Sequence, residues 1–405
     1  MRGQEQREAF PRIYRFERGG ETVGCIVVDS TIRGRAGGGL RIVPEVRVDH
    51  LLRAARAKTL KYGLVGLSQG GAKAAAVGDP EGSAAGRVEA VARFARGLRR
   101  VIVEGAFSPA ADMGTDEVLI RTGLERAGIR RRHRELRGVE SGLYTAHSVL
   151  ACARRAAFHL GLDWPTCTAA VEGFGKVGAN LADLLRKEGV RVIAVSTRRG
   201  ALVNPSGLEV DHLLQRYRLG GKDVLPGDEG MLRAPGSLWT LPVDFLFPCA
   251  DAETLREGHT AEVRARVICP GANNALTPGA EAALLGRGVF CLPGFLVNAG
   301  GVIGGTMEYA GVAGSRVSAF VERNLGAVAA NLMEASAARG VPLRELAADL
   351  ALRRFSRMKR ACEHPRPLGR GFRAAVEVYR RGLLPRPLVA LIAPAWFRHR
   401  LRGRW

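Results

Sequence analysis

Apolar and polar positions change period several times along this chain, and each change marks an element. Residues 22–48 read as short strands and turns, with a glycine cluster at 34–42. From Val48 to Tyr62 the period is helical, with Asp49 placed to cap its start. A glycine-rich loop follows at Ser68–Lys73, then an apolar run ending at Gly78-Asp79-Pro80. The pattern next predicts a helix over 86–100, a strand at Val101–Val103 and a turn over 108–118, where Thr115 is placed to cap the following helix. Beyond it, a helix is predicted over 145–160. Residues 167–196 then read as strand, glycine turn, amphipathic helix and strand. Apolar strand candidates recur at 243–250, 265–272 and 288–294, and the chain is helical from Tyr309 to about Met358. Strands alternating with helices predict an α/β fold with a doubly wound parallel sheet. At 405 residues, two domains are expected.

Composition narrows the class. No run of 18 uninterrupted apolar residues occurs, which excludes a membrane-spanning helix. The first 20 residues lack the apolar stretch of a secretory signal. The seven cysteines are scattered, with no CxxC pair, as in a reduced cytoplasmic protein; no zinc site or other metal is expected. The net charge of +22 raises the question of nucleic acid, but 54 of the 61 basic residues are arginine, spread along the whole chain without a recognition motif. A compositional preference for arginine explains the charge, and no nucleic-acid partner is expected. That bias makes lysine informative. Three of the seven lysines (Lys58, Lys61 and Lys73) fall within 16 residues. Lysine can lose its proton when desolvated and arginine effectively cannot, so this window suggests amine chemistry; the bland alternative is long side chains covering a helix end.

Gly173-Phe174-Gly175-Lys176-Val177-Gly178 follows the strand candidate Ala169–Val171 and opens an amphipathic helix. The hexamer alone is a weak signal. In this strand–turn–helix setting it is a strong one for a dinucleotide, whose pyrophosphate would sit at the helix N-terminus. The next strand runs into Thr197-Arg198-Arg199 instead of a carboxylate that would hold a ribose 2′-hydroxyl. Two guanidinium groups there favour a 2′-phosphate, hence NADP over NAD.

Lys61 precedes Lys73 by 12 positions, and Asp112 stands in Pro109-Ala-Ala-Asp-Met-Gly-Thr115. A fixed cation, an amine able to lose its proton and a carboxylate make a sensible set for amino-acid redox chemistry. At this point the chain closely resembles the glutamate/leucine/phenylalanine/valine dehydrogenase family. The motifs run in order over about residues 20–357: GGLR (38–41), KTLK through GGAK to GDP (58–80), PAADMGT (109–115), TAHSV (145–149), GFGKVG, PGANNALTP (270–278) and NAGGV (298–302). The resemblance implies oxidative deamination of an L-amino acid to a 2-oxo acid and ammonia, with a nicotinamide as acceptor. It implies Lys61 on the substrate α-carboxylate, Lys73 activating water and polarising the carbonyl, and Asp112 moving protons to and from the amino nitrogen. It also implies Thr145, Asn273 and Asn298 beside the nicotinamide. For the asparagines, turn residues are the competing reading, and for Asp112 a capping role is. His147, inside TAHSV, reads as an ordinary polar helix residue.

Departures from the family pattern bear on the substrate. Glutamate-specific members carry lysine before the Gly38-Gly39-Leu40-Arg41 turn, where this chain has Gly37, and serine where it has Gly305. Losing a charge and gaining room favours an apolar or aromatic side chain. Lys58 cuts the other way: one helical turn before Lys61, it replaces the methionine of leucine-type members and could hold an acidic side chain. The alternative is thus a glutamate dehydrogenase with a rebuilt pocket. From a different class, a non-catalytic relative binding nucleotide or partners through its basic tail is the further alternative.

The implied architecture is two α/β domains with a cleft between them. Residues 1–144, completed by helices of about 336–358, form the substrate and oligomerisation domain, and 145–335 the Rossmann domain. Self-assembly into a homo-oligomer is implied. Residues 359–405 hold 12 Lys/Arg against two Glu. Contact of this tail with an anionic membrane surface is one reading, but packing on the protein is favoured, because Pro385, Pro387 and Pro394 would break a continuous amphipathic helix.

Overall fold

A computed structural model describes residues 10–130, 140–220, 231–365 and 367–401. The chain divides into two units, Met1–Arg137 with Leu350–Pro385, and Gly138–Asp349 with Arg386–Trp405.

The first unit is built on a five-stranded mixed sheet of order β1-β2-β4-β3-β5. Its strands are β1 (Arg12–Arg18), β2 (Glu21–Val28), β3 (Ala36–Val43), β4 (Gly70–Val77) and β5 (Phe107–Ala110). Helices α1 (Val48–Val65), α2 (Ala84–Gly97), α3 (Arg99–Val103) and α4 (Glu117–Arg126) cover it. Alternation assigns the faces. Ala72, Ala74 and Ala76 of β4 join Ala36, Leu40 and Ile42 of β3 in a core with Val91 and Phe94 of α2 and Leu124 of α4. On the opposite face, Ala75 packs with Leu51 and Ala55 of α1. Lys73, two positions from Ala75, therefore points to the α1 side.

Several local expectations change here. The segment Gly70–Lys73 is not a loop but the start of β4, paired with β3 through Gly37↔Gly71 and Leu40↔Ala74. Glycine serves it by admitting the helix: a Cβ on Gly71 would lie 2.3 Å from the Thr59 backbone nitrogen of α1. Residues 101–103 are helical, with only Ile102 of the three buried. The fifth strand instead comes from Phe107–Ala110, which overlaps the start of the expected turn, and Phe107 and Pro109 alternate inward. Asp116, not Thr115, caps α4 by accepting from Leu119 N at 2.8 Å. Asp49 lies within the first turn of α1, after Arg47 at the cap position. The helix ends at Gly66, left-handed at φ 72°, with Leu67 N donating to Tyr62 O at 2.9 Å.

The second unit opens with α5 (Ser141–His159) and carries a seven-stranded sheet. In chain order follow β6 (Thr168–Glu172), α6 (Gly178–Lys187), β7 (Arg191–Thr197), β8 (Gly200–Val203), α7 (Val210–Gly220), β9 (Met231–Arg233), β10 (Phe245–Pro248), β11 (Val267–Ile268), α8 (Pro278–Gly286) and β12 (Phe290–Cys291). The order β12-β11-β10-β6-β7 is parallel, as the pattern predicts, and β8 and β9 extend it antiparallel. Helices α9 (Gly294–Val297), α10 (Gly300–Tyr309) and α11 (Gly314–Arg339) follow. Helix α12 (Leu343–Glu363) leaves the second unit at Asp349 and continues in the first.

The basic extension forms α13 (Pro367–Arg380) and α14 (Arg386–Leu401). Pro385 and Pro387 sit at the junction, but Pro394 lies inside α14 and does not end it. Burial of Ala393, Phe397 and Leu401, with Phe397 edge-on to Phe320 of α11 at 6.4 Å, holds the helix across the missing N–H. The seven cysteines form no disulfide. No described helix is long and apolar enough to cross a membrane.

Candidate active site

Two constellations emerge, one in each unit. In the first, the α1 side of the sheet is paved with glycine. Gly37 and Gly39 share that face of β3, and Gly71 precedes Lys73 on the neighbouring β4. A Cβ on Gly39 would lie 2.5 Å from Asp112 Oδ2, and one on Gly38 would lie 1.7 Å from Ala72 O, so both positions exclude any side chain. Asp112 follows β5, which runs beside β3 through Gly39↔Ala110. The Thr115 hydroxyl, which caps nothing, braces this turn: it accepts from Asp112 N at 2.9 Å and donates to Leu40 O at 2.8 Å. Met113 N donates to Asp112 Oδ1 at 2.9 Å.

Asp112 pairs with Lys73, and Arg41 Nε approaches its Oδ2 at 3.6 Å. Burial alone would raise the Asp112 carboxyl, but Lys73 and Arg41 outweigh it and hold it well below the usual carboxylate range. Lys73 is buried, and desolvation brings its ammonium down to about 8 despite the attraction of Asp112. Lys61 is buried as well; burial first, then repulsion from Lys58 and Lys73, carries it well below the ordinary lysine value. Burial also lowers Lys58, whose ammonium lies 5.1 Å from the centre of the Tyr62 ring. Lys58, Lys61, Lys73 and Asp112 thus form one electrostatic cluster.

The room expected from Gly37 is not vacant. A Cβ there would lie 1.9 Å from Gln69 Nε2, so the Gln69 amide, reaching over from the residue before β4, occupies it. Sequence reading missed Gln69 because register across two strands, not spacing, brings it to Gly37.

In the second unit the Gly173–Gly178 turn joins β6 to α6. Gly173 is left-handed at φ 86°, and its Cβ would strike Ala250; a Cβ on Gly178 would lie 1.9 Å from Gly173 O. Gly175 faces open space within 4 Å, and α6 starts after Val177 with no side-chain cap on its first amides. This open glycine beside an uncapped helix start fits a diphosphate. Phe174 is buried edge-on to Tyr217 at 6.0 Å, and Lys176 is exposed. Thr197 pairs with Gly200 across the β7–β8 hairpin, which places Arg198 and Arg199 at its exposed tip.

Thr145 lies in the first turns of α5, its hydroxyl donating to Ser141 O at 2.8 Å. Asn298, buried at the end of α9, donates to Ala272 O at 2.8 Å, which fixes the turn that exposes Asn273. The structure therefore groups the two asparagines. Gly305 is half-buried in α10. His147 pairs with Glu322 and ties α5 to α11. Sequence reading also missed Glu172, the last residue of β6. It is buried and accepts from the Thr254 hydroxyl at 3.0 Å, yet burial, with Asp251 nearby, pushes its carboxyl up to about 7. A charged residue ending the strand before the glycine turn was the available signal.

Comparison with known proteins agrees with this architecture. The model of the glutamate/leucine/phenylalanine/valine dehydrogenase family matches residues 141–362, and that of its dimerisation domain matches residues 16–123. An NADP(+)-dependent glutamate dehydrogenase of Pyrobaculum calidifontis is 35% identical over 290 residues, covering 67% of this chain and 68% of the relative. A glutamate dehydrogenase of Thermotoga maritima is 32% identical over 294 residues, 69% and 70% of the two chains. Among solved structures, the leucine-bound hetero-hexameric glutamate dehydrogenase of Thermus thermophilus superposes with a TM-score of 0.72 at 25% identity, covering 86% of this chain and 89% of that one. The L-tryptophan dehydrogenase of Nostoc punctiforme shares the fold, with a TM-score of 0.56 at 23% identity over 86% and 96%. The fold and site define the class of amino-acid dehydrogenases. The chain belongs to the glutamate/leucine/phenylalanine/valine dehydrogenase family.

Proposed function

We propose that the protein interconverts an L-amino acid and water with the 2-oxo acid and ammonium, that its redox partner is NADP in preference to NAD, and that the side chain it accepts ends in a carboxylate, as in L-glutamate. The observation that carries the side-chain reading is the charge of the cluster, in which Lys61 and Lys73 are buried and Lys58 is half-buried. Asp112 is the carboxylate that acts on Lys58, Lys61 and Lys73 alike, and Arg41 adds a further cation beside it. Burial makes each ammonium costly, and a ligand bearing two carboxylates offsets more of that cost than one bearing a single carboxylate. The apolar reading rests on room at Gly37 and at Gly305, and at Gly37 the Gln69 amide takes that room.

In this reading Lys61 holds the α-carboxylate. Lys73, brought down to about 8, supplies a neutral amine that accepts a proton from the water attacking the imine carbon. Asp112 is ionised at rest, takes a proton from the substrate nitrogen and hands it on, and returns it in the reverse direction, while keeping the Lys73 amine aimed at the reacting carbon. When bound, a nicotinamide supplies the hydride acceptor. The Gly173–Gly178 turn would hold its diphosphate, Asn273, Asn298 and Thr145 its carboxamide end, and Arg198 and Arg199 a 2′-phosphate. Self-assembly through the matched dimerisation domain belongs to the same reading and is measurable by light scattering.

The test is reductive amination of 2-oxoglutarate, 4-methyl-2-oxopentanoate and phenylpyruvate with ammonium, using NADPH and NADH in parallel. Turnover of 2-oxoglutarate with NADPH, abolished in Lys73→Ala, is expected. Turnover of the apolar 2-oxo acids alone would return the side-chain assignment to the apolar class. Silence of folded protein across the panel would favour a non-catalytic relative.

A further inference from the structure

Strand β3 presents two glycines, Gly37 and Gly39, on one face, and a different polar side chain lies over each. Asp112, paired with Lys73, lies over Gly39; the Gln69 amide lies over Gly37. Two residues along a strand span roughly 6.6 Å. The amide therefore stands about one amino-acid side chain away from the pair that would handle the reacting carbon. Between them β3 places no side chain on this face, and on β4 the backbone of α1 rests on Gly71, the residue paired with Gly37, so the open strip runs along β3. The Gln69 side chain rises from the residue immediately before a strand made otherwise of glycine, alanine, Lys73 and Val77. We propose that Gln69 is a specificity-determining residue, its amide N–H donating to the terminal carboxylate of the substrate side chain at the end of the glycine floor opposite Asp112. This rests on the deamination reading above and names the residue that reads the side chain.

The chemistry of an amide differs from that of a cation in this place. It donates to a carboxylate without demanding one, so it also tolerates a neutral amide-bearing side chain, whereas an apolar side chain leaves the amide desolvated and unpaired.

The experiment compares Gln69→Leu, Gln69→Glu and Gly37→Ala with the wild-type full chain. It reads kcat/KM for 2-oxoglutarate and 4-methyl-2-oxopentanoate, 2-oxoglutarate binding by equilibrium dialysis, and thermal midpoint. Gln69→Leu is expected to lower the 2-oxoglutarate to 4-methyl-2-oxopentanoate ratio by about 10- to 100-fold. Gln69→Glu lowers it further by like-charge repulsion. Gly37→Ala displaces the amide and reproduces the Leu variant, and the Gly37→Ala/Gln69→Leu double variant is no worse than Gln69→Leu alone. A ratio unchanged within about twofold in variants with the wild-type midpoint overturns the assignment and leaves the deamination reading standing. Should the Leu or Glu variant fail to fold, Gln69→Asn keeps the amide but withdraws it by one methylene, and the same ratio decides. Should the wild type turn over no 2-oxo acid, the deamination reading falls. Dialysis then judges Gln69 by itself: equal 2-oxoglutarate binding in wild type and Gln69→Leu, or none in either, overturns it.

Discussion

Lys73 and Asp112 set each other's protonation, and this makes the site testable residue by residue. With Lys73 at about 8, activity that needs its neutral amine rises as pH passes 8. Asp112 stabilises the ammonium, so Asp112→Asn should do two things: lower kcat by about 10²- to 10⁴-fold and move this rising limb to lower pH. A pH–rate profile of both proteins checks the shift, which loss of fold could not imitate. Glu172 offers a second titration. Its folded-state value, about 7, lies above the ordinary 4.5, so the folded state binds more protons between the two. Stability therefore falls as pH rises from 4.5 to 7 and stays low above it. Glu172→Gln is expected to remove that slope and to gain roughly 2–3 kcal/mol at pH 8, read by denaturant unfolding at pH 5 and pH 8. A slope that persists in the variant would place the titration elsewhere.

At the scale of elements, glycine separates two kinds of position that look alike in sequence. Gly71 and Gly175 both sit in glycine-rich motifs. A Cβ on Gly71 meets the backbone of α1, whereas one on Gly175 meets nothing within 4 Å. Gly71→Ala should therefore destabilise the first unit by about 1–3 kcal/mol. Gly175→Ala should leave the thermal midpoint in place and weaken NADPH binding, measured by nucleotide fluorescence. The opposite pattern would mean that the two glycines had exchanged their structural and binding roles. The same scale explains which elements were legible. The β6–α6–β7 segment was read correctly because its signals lie within 30 contiguous residues. Strand β5 was not: it is four residues long, contains Pro109 and exists because β3 offers it an edge. Residues 101–103 have strand composition, but only Ile102 of the three is buried, and the chain keeps turning as helix.

At the scale of the molecule, the C-terminal extension is part of the fold. Helix α14 buries Ala393, Phe397 and Leu401 on the second unit while Leu391 stays 71% exposed. Phe397→Ala should cost about 3–5 kcal/mol, whereas Leu391→Ala should stay within about 0.5 kcal/mol. Calorimetry of both variants checks the contrast; equal effects would mean that the helix is held by something other than this face.

The sequence alone determined the chemistry available: a lysine pair spaced by 12, a carboxylate in a tight turn, and a glycine turn between strand and helix. Each is written in a short window, where period and residue type suffice. Tertiary structure decided what surrounds them. Thr115 braces Asp112 instead of capping a helix, Lys58 enters the cluster, Gln69 takes the space over Gly37, and Glu172 is buried beside the dinucleotide turn. These depend on strand register and on which face a helix covers. Residues far apart in the chain create that environment, and it sets the burial and charge that no local pattern carries.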